Sequence, residues 1–286
     1  MKIVIGVDTE GHYTHTVKLV ERLKFPEPHW ILAHSVDIVT PVPGYLVPTD
    51  AAFKLEFVKL ANDAGQHALE RAAEEAAEHA TDAETVLLQG GPAGALEQYA
   101  DEINADLIAV HSERKSRFSA LFFGSVSRGL ALESKQSILI SKGESQSSEP
   151  ISVVFATDHS DFAKKSLAAF LAMGAKGIKK ITLVTALDVG AALDFVYPDT
   201  ITAVETDIEE QMAAELIKVQ AAGYEGATEI IQGPVSDAIH HAMKIGEADL
   251  LVMGARGHGF MHRLVLGSTA LEQVVAEPYS VMIIRP

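Results

Sequence analysis

The sequence of 286 residues contains no cysteine, a single tryptophan and only 6% aromatic residues. The lack of cysteine excludes disulfides and thiolate metal ligands, and it is consistent with a reducing cytoplasm, where we expect the protein to reside. Basic residues are scarce as well, because 23 Lys and Arg stand against 39 Asp and Glu and give a net charge of −16. Such a surface repels a phosphate backbone, which argues against a nucleic-acid partner.

Long hydrophobic runs are also lacking. No stretch of about 18 apolar residues occurs, so we predict neither a membrane span nor a membrane partner. The first residues, MKIVIGVDTE, hold one short apolar run ending at Asp8, which we interpret as a first strand because a signal peptide requires a longer apolar stretch. Hydrophobic residues still make up 48% of the chain, enough for the cores of two domains.

The chain contains an internal repeat, which predicts a repeated architecture. Seven segments of the first half recur in the same order in the second half, 142–151 residues later. The matched pairs are KIVIGVDTE with SVVFATDHS, HWILAHSVD with KITLVTALD, YLVPTD with FVYPDT, LLQGGP with EIIQGP, ADLIAVHSE with ADLLVMGAR, FFGSV with VLGST, and SILISK with SVMIIR. We therefore predict two similar domains, residues 1–143 and 151–286, joined by the polar linker GESQSSEP.

Each repeat alternates short apolar runs with amphipathic segments. Runs such as IVIGV, LIAV and LLVM are continuous in Val, Ile and Leu, which is typical of parallel strands covered on both faces. Residues 53–80 are rich in Ala and Glu and predict a helix. The alternation predicts an α/β fold with a doubly wound parallel sheet in each half. Such sheets bind ligands at the carboxyl ends of their strands, where Asp158, Asp188 and Gly254 fall.

A glycine-rich loop, GARGHGFMHRLVLGST, follows one of these runs in the second half. Gly254, Gly257 and Gly267 precede Ser268, at which a helix is expected to begin with Ser268 as N-cap. A helix N-terminus together with inward-facing loop amides can hold phosphate even on an acidic protein, and Arg256 and Arg263 add local positive charge. Glycines after a strand can also form tight turns without binding anything. The motifs G-x-x-x-x-G-K-[ST] and G-x-G-x-x-G are both absent.

The spacing Gly254-x2-Gly257-x9-Gly267-Ser268 matches the G-2x-G-9x-G-[ST] loop of the universal stress protein family, and the resemblance covers essentially the whole chain. It implies two tandem Rossmann-like, adenine nucleotide alpha hydrolase-like domains, each a five-stranded parallel sheet of order 3-2-1-4-5. It also implies that ATP, or else ADP or AMP, is the ligand. Mg²⁺ can accompany ATP, although the loop supplies no obvious carboxylate ligand.

Transferred residue by residue, the resemblance assigns a complete site to the second half. Asp158 is expected to face ribose or adenine, the main chain at Ala186 to contact the adenine edge, and the glycine loop to hold the phosphates. As a second interpretation, Asp158 serves only as the N-cap of the following helix. The expected binding residues are Ala156, Asp158, Ala186, Met253, Gly254, Arg256, Gly257, Gly267, Ser268 and Thr269.

The first half departs from this pattern. Asp8, Gly124 and Ser125 are retained, but His111 and Arg114 stand where the second half has Gly254 and Gly257. Side chains there are expected to fill the phosphate site, and we also expect either glycine position to require a positive φ, which His and Arg tolerate poorly. We therefore predict that the first half does not bind ATP in the usual way. A basic stretch with Arg114, Lys115 and Arg117 could hold a smaller anion, although a solvated surface is the simpler interpretation.

Other residue groups in the sequence do not indicate a site. Three histidine pairs, His12 with His15, His240 with His241 and His258 with His262, have spacings that a metal could use but lack a known metal motif, so we expect no metal site. The last pair lies in the glycine loop and could approach a phosphate. Residues 38–50 and 189–204 are long for α/β connections, and Tyr45, Phe195 and Tyr197 in them could form a lid or pack between the halves.

The sequence thus favours a stress-response or signalling module that binds nucleotide in its second half. No general base is evident, so we expect at most slow ATP hydrolysis and no catalytic residue. An interaction protein with a residual site and an ATP-dependent enzyme are the alternatives. The resemblance further implies that strands 137–141 and 280–284 pair within one chain as an intramolecular pseudo-dimer, and a homodimer of the whole chain is left open.

Overall fold

We describe the protein from a computed structural model, which covers residues 1–37, 51–80, 82–112, 124–143, 150–188, 198–256 and 266–286. In its first half, strands and helices alternate. In chain order the elements are β1 (Lys2–Gly6), α1 (Tyr13–Leu23), β2 (His29–Val36), α2 (Ala51–Ala76), β3 (Ala83–Gln89), α3 (Pro92–Glu102), β4 (Leu107–His111), α4 (Ser125–Glu133) and β5 (Ser137–Ser141).

The second half repeats this series. Its elements are β6 (Ile151–Ala156), α5 (Asp161–Ala172), β7 (Ile178–Leu187), α6 (Pro198–Ala221), β8 (Glu225–Gln232), α7 (Val235–Ile245), β9 (Leu250–Gly254), α8 (Ser268–Ala276) and β10 (Ser280–Ile284). Helix α6 begins at Pro198, so the expectation of a connection reaching to residue 204 is wrong. Proline fits a first turn because the amide it lacks would have no helical partner there.

The strand order confirms the predicted topology and adds one feature to it. Strands run β3-β2-β1-β4-β5 in the first half and β8-β7-β6-β9-β10 in the second, and all pairs within a half are parallel. Strands β5 and β10 pair antiparallel, with Leu139 opposite Met282, as expected for a pseudo-dimer. The two predicted sheets are therefore joined into a single ten-stranded sheet.

Helices cover both faces of this sheet. Successive residues of a strand point to opposite faces, so each strand contributes side chains to two cores. Leu139 and Met282 belong to a core that lies under α1, α2, α5 and α6, whereas Ile138 and Ile140 belong to the core under the other helices. Each of these side chains is fully buried, which stabilises the fold by about 1.5–3 kcal/mol apiece. Both cores extend across the β5–β10 pair, so the halves share them.

Two hydrogen bonds of the same kind close the β5–β10 pair at its ends. The main-chain N–H of Lys142 donates to Ser280 Oγ, and that of Arg285 donates to Ser137 Oγ, each at 3.1 Å. Because Ser137 and Lys142 match Ser280 and Arg285 in the repeat, the two bonds are related by an internal pseudo-two-fold. Lys142 Nζ also donates to the carbonyls of Gln273 and Glu277 at the end of α8, so charge at a helix C-terminus reinforces the contact.

Candidate functional site

A cavity of about 250 Å³ lies in the second half at the carboxyl ends of its central strands. This is the edge at which doubly wound sheets bind ligands. The walls come from the ends of β6, β7 and β9 and from the first turns of α7 and α8. The lining residues are Ala156, Thr157, Asp158, Ala163, Val184, Ala186, Val235, Ala238, Ile239, Met253, Gly254, Arg256, Gly267, Ser268, Thr269 and Ala270.

The cavity gathers all the predicted site residues that the structure describes. Gly257 lies outside the described residues, as do Arg263, His258 and His262. The aromatic residues expected in the two long connections, Tyr45, Phe195 and Tyr197, are outside them as well, and so are Arg114, Lys115 and Arg117 of the first half. The predicted roles of these residues therefore stay predictions.

Helix α8 presents its N-terminus to the cavity. Gly267 is the N-cap, with φ −64° and ψ 152°, and no side chain caps the helix. The expectation that Ser268 is the N-cap is wrong by one residue, since Ser268 is already the first helical residue. The amide of Gly267 donates to the carbonyl of Ala255 at 2.8 Å, which ties the loop's end to β9. A helix start without a side-chain cap leaves first-turn amides and the positive end of the helix dipole available to an anion.

Gly254 is glycine for a packing reason. Its φ is not positive, so the expectation of a left-handed backbone there is wrong, as it is for His111 in the first half. A Cβ at residue 254 would lie 2.9 Å from Ser166 Oγ and 3.2 Å from the Phe162 ring, so any side chain would push α5 away from β9. The missing side chain allows α5 to pack closely against the end of β9, beside the cavity.

The side chain of Arg256 supplies positive charge at the rim of the cavity. Its guanidinium lies over the Phe162 ring, 5.0 Å from the centroid, as a cation–π contact. The charge of Arg256 also acts on Arg285. Burial lowers the pKa of Arg285, and the positive charge of Arg256 lowers it further. The negative charge of Glu97 acts on Arg285 in the opposite direction.

The side chain of Asp158 lines the cavity, while another residue caps the following helix. Ser160 is the N-cap of α5, and its Oγ accepts the amide of Ala163 at 3.1 Å. Asp158 Oδ1 accepts the amide of Ser160 at 3.1 Å, which holds the carboxylate against the turn. The second interpretation of Asp158, as nothing more than the helix N-cap, is therefore wrong.

In the first half the equivalent carboxylate is used differently. Asp8 Oδ1 accepts the amides of Glu10, Gly11 and His12, and Oδ2 accepts the amide of Tyr13, at 2.7–3.1 Å. One carboxylate thus satisfies four main-chain donors where α1 begins. Its two oxygens are committed to the local turn, and its negative charge is favourable at a helix start.

A cluster of imidazole rings stands in the first half where Gly254, Phe162 and Ser166 pack together in the second half. The His111 ring stacks on His12 at 5.7 Å between centroids and tilts against His15 at 5.0 Å. His111 Nδ1 also lies 3.1 Å from Ser141 Oγ, which in turn lies 2.7 Å from Thr16 Oγ1. In the first half, the side chains of His12, His15 and His111 therefore fill the space beside β4.

A groove does exist in the first half, but at another place. Residues 89–95, Gln98, Ser125 and Val126 surround an open volume of about 520 Å³. Neither Asp8 nor His111 contributes to it. This groove therefore does not bring the retained Asp8 together with the retained Ser125.

Sequence reasoning missed the apolar wall that α7 contributes. Val235, Ala238 and Ile239 line the cavity, and they recur at the i, i+3, i+4 spacing of one helix face. That periodicity marks a buried face, but the same pattern is found on helices that only pack against a core. Thr157 and Val184, which flank the expected residues on β6 and β7, were missed as well.

Histidines form no metal site in the described part of the chain, where no group of three or more His, Asp or Glu side chains is arranged to hold a metal ion. His240 lies instead 2.9 Å from Glu277 at the surface. Of the helices that the structure describes, none is both long and apolar enough to cross a membrane.

These features define the class of the protein as a tandem doubly wound α/β protein with one cavity at a strand-end edge of its second half. The family model of the universal stress protein family matches residues 1–142 and again residues 152–285. The chain therefore belongs to the universal stress protein family, with two repeats of the family's domain.

Solved structures agree with this fold. A universal stress protein from Archaeoglobus fulgidus DSM 4304 superposes with a TM-score of 0.73 over 100% of this chain and 98% of its own, at 18% sequence identity. A functionally unknown protein from Pseudomonas aeruginosa PAO1 gives 0.66 over 100% of this chain and 92% of its own, at 14% identity. No curated protein sequence is similar enough to count as a relative.

Proposed function

We propose that the protein binds one adenine nucleotide per chain, in the second half, and acts in the cytoplasm as a stress-response or signalling module. ATP is the first candidate, with ADP and AMP as alternatives. Adenine-nucleotide binding is common in the universal stress protein family. The observation that carries the proposal is the meeting of Asp158, Ala186 and the start of α8 around a single cavity.

The chemistry of the walls matches the parts of a nucleotide. Val184, Ala238, Ile239 and Met253 offer an apolar surface for a flat base. The carboxylate of Asp158 can accept hydrogen bonds from ribose hydroxyls or from an exocyclic amine. Next to them, the start of α8, with no side-chain cap, and the guanidinium of Arg256 suit phosphate oxygens.

The same reasoning disfavours the first half. Asp8 already accepts four amides, and His111 with its neighbours occupies the space beside β4. A nucleotide would have to displace both arrangements, at the cost of the helix cap and of the ring packing. Occupancy of the second half alone is therefore expected, and the protein would present different surfaces when occupied and empty.

The test is a calorimetric titration of the purified chain with ATP, ADP and AMP, with and without Mg²⁺, after mass spectrometry of whatever nucleotide co-purifies. We expect one nucleotide per chain, lost in Gly257→Arg, which copies Arg114 of the first half, and retained in the control Gly94→Arg, because nothing lies within 4 Å of a Cβ at Gly94. Binding of two nucleotides, or of none, contradicts the proposal. Release of phosphate or AMP well above background would favour the ATP-dependent enzyme instead.

A further inference from the structure

A buried polar network, formed by Thr157, His159, Thr185 and Glu215, lies behind the cavity. His159 Nε2 is 2.8 Å from Thr185 Oγ1, and His159 Nδ1 is 3.1 Å from Glu215 Oε1. Thr185 Oγ1 also donates to the carbonyl of Thr157 at 3.0 Å. The side chains of His159 and Glu215 are only 6% and 2% exposed, so water does not compete for these bonds.

The hydrogen bonds determine where the protons of this network lie. Because a carbonyl cannot donate, the single hydroxyl proton of Thr185 goes to the carbonyl of Thr157. The Thr185 oxygen must then accept from His159, so His159 Nε2 carries a proton. One further proton lies between His159 Nδ1 and Glu215 Oε1, because two lone pairs at 3.1 Å would repel each other.

The second carboxylate oxygen of Glu215, Oε2, is buried and has no hydrogen-bond partner among the described residues. Burying a polar group costs free energy unless it is hydrogen-bonded. The contact between Oε1 and His159 Nδ1 therefore compensates for the burial of both side chains.

The network ends on the turn that carries Asp158. Thr157 and Asp158 both line the cavity, and the amide of His159 donates to Thr157 Oγ1 at 3.1 Å. His159 itself has a φ of 58°, a left-handed conformation that a side chain adopts only at some cost. Holding the imidazole at both nitrogens stabilises this conformation, and with it the position of Asp158.

We propose that His159 and Glu215 are positioning residues of the second-half cavity, whose hydrogen-bonded pair fixes the turn that presents Asp158 to a bound nucleotide. Since Glu215 belongs to α6, the pair also links that helix to the cavity. This inference rests on the proposed function, because it concerns binding at the same site. Neither side chain lines the cavity, so both act through Thr157 and Asp158.

The first half fixes its corresponding turn by a simpler contact. There Val7 stands in the place of Thr157 and His34 in the place of Thr185. His34 Nδ1 donates directly to the carbonyl of Val7 at 2.7 Å. Thr9 takes the place of His159. The contact between His159 and Glu215 therefore belongs to the half that has the cavity.

The experiment compares ATP affinity in Glu215→Leu, Glu215→Gln and the control Glu210→Leu, which makes the same change on the exposed face of α6. Glu215→Leu is expected to weaken ATP binding about tenfold, because His159 Nδ1 is left without a partner in the interior. Glu215→Gln is expected to rescue most of the affinity, since its side-chain amide retains a hydrogen bond to Nδ1. Thermal unfolding of each variant shows whether it is folded before the titration.

A second measurement needs no variant. Long-range ¹H–¹⁵N NMR of the wild-type chain is expected to find a proton on His159 Nε2. Its absence overturns the hydrogen-bond assignment, as does Glu215→Gln binding as weakly as Glu215→Leu. Wild-type affinity in a folded Glu215→Leu overturns the positioning role and leaves the proposed function intact. A wild-type chain that binds no nucleotide removes the proposed function, and this inference with it.

Discussion

An aspartate follows the first strand of each half, and it has a different role in each half. Asp8 accepts four main-chain amides and serves the start of α1. In the second half Ser160 caps α5, and the carboxylate of Asp158 lines the cavity instead. A residue retained in both halves thus marks a retained position on the fold. Its function depends on whether a neighbour, such as Ser160, caps the following helix instead.

A second difference reinforces the first. Where the second half has Gly254 packed against Phe162 and Ser166, the first half has His111 stacked on His12 and next to His15. Phe162 and His12 occupy matching positions in the repeat, so the change at the strand end is accompanied by a change on the facing helix. Two sites of common design have thus become one open cavity and one closed packing cluster.

The largest expected effect comes from copying the first half into the second with Gly254→His. Its Cβ alone would lie 2.9 Å from Ser166 Oγ, so α5 must move and the protein loses about 1–3 kcal/mol of unfolding free energy. We also expect ATP binding to fall below detection, because α5 carries the cavity residue Ala163 and has to shift. Calorimetric titration and urea unfolding measure the two effects.

The matched control is Gly94→His, since Gly94 has open space around its Cβ position and no positive φ. It is expected to leave both ATP affinity and stability close to the wild type. Conversely, His111→Gly should not create a second ATP site, because Asp8 stays bound to the amides of its turn. Normal ATP affinity in Gly254→His would show that the residue at this strand end does not separate the two halves.

An intermediate effect is expected from the paired variants Asp158→Ala and Asp8→Ala. Asp158→Ala should weaken ATP binding about 10- to 100-fold, because a charged hydrogen-bond acceptor is removed from the cavity. Asp8→Ala should leave ATP affinity unchanged and lower the unfolding free energy by about 1–2 kcal/mol, because four main-chain amides at the start of α1 lose their acceptor. Titration and urea unfolding of both variants separate binding from stability. A loss of ATP affinity in Asp8→Ala would contradict the division of tasks between the halves.

The smallest expected effect is a pH dependence confined to the first half. The hydrogen bond that His29 Nδ1 donates to Asp82 Oδ2 at 2.6 Å raises the pKa of His29, and Glu84 adds to this against the opposing effect of burial. Because the folded pKa lies above the unfolded value of about 6.5, this stabilisation is present below that pH and is lost as pH rises through the raised pKa. Asp82 is exposed, so screening limits the effect to a few tenths of a kcal/mol.

Urea unfolding of the wild type and His29→Gln at about pH 6 and pH 9 measures this difference. The wild type should lose slightly more stability than the variant on going to the higher pH. The second half has Lys180 at the position that matches His29, so the imidazole–carboxylate contact belongs to the first half. An identical pH response in the two proteins would mean that the His29–Asp82 contact contributes nothing.

Much of the fold could be predicted from the sequence because its signals are local. Continuous apolar runs such as residues 250–254 predict strands buried on both faces, and the repeat predicts that both halves share one topology. The resemblance to the universal stress protein family, which the glycine spacing between residues 254 and 267 carries, implied the binding residues, and those that the structure describes line the cavity. The errors at Ser268 and at the start of α6 concern single boundaries, which depend on capping geometry more than on periodicity.

The rest depends on contacts between residues far apart in the chain. The reason for glycine at residue 254 is its contact with Ser166, which lies 88 residues earlier on another element. The wall made by α7 is indistinguishable in sequence from any buried helix face. The pairing of His159 with Glu215 joins a strand end to a distant helix, and its spacing carries no motif.

By itself, the sequence determined the order of strands and helices, the duplication and the place of the glycine loop, because these follow from local hydrophobic patterns and backbone preferences. Only the tertiary structure decided that α7 forms a wall of the cavity, that Gly254 packs against α5, and that Asp8 accepts the amides at the start of α1. The physical reason is that burial, steric fit and hydrogen-bond competition are properties of neighbours in space, and the chain brings those neighbours together only on folding.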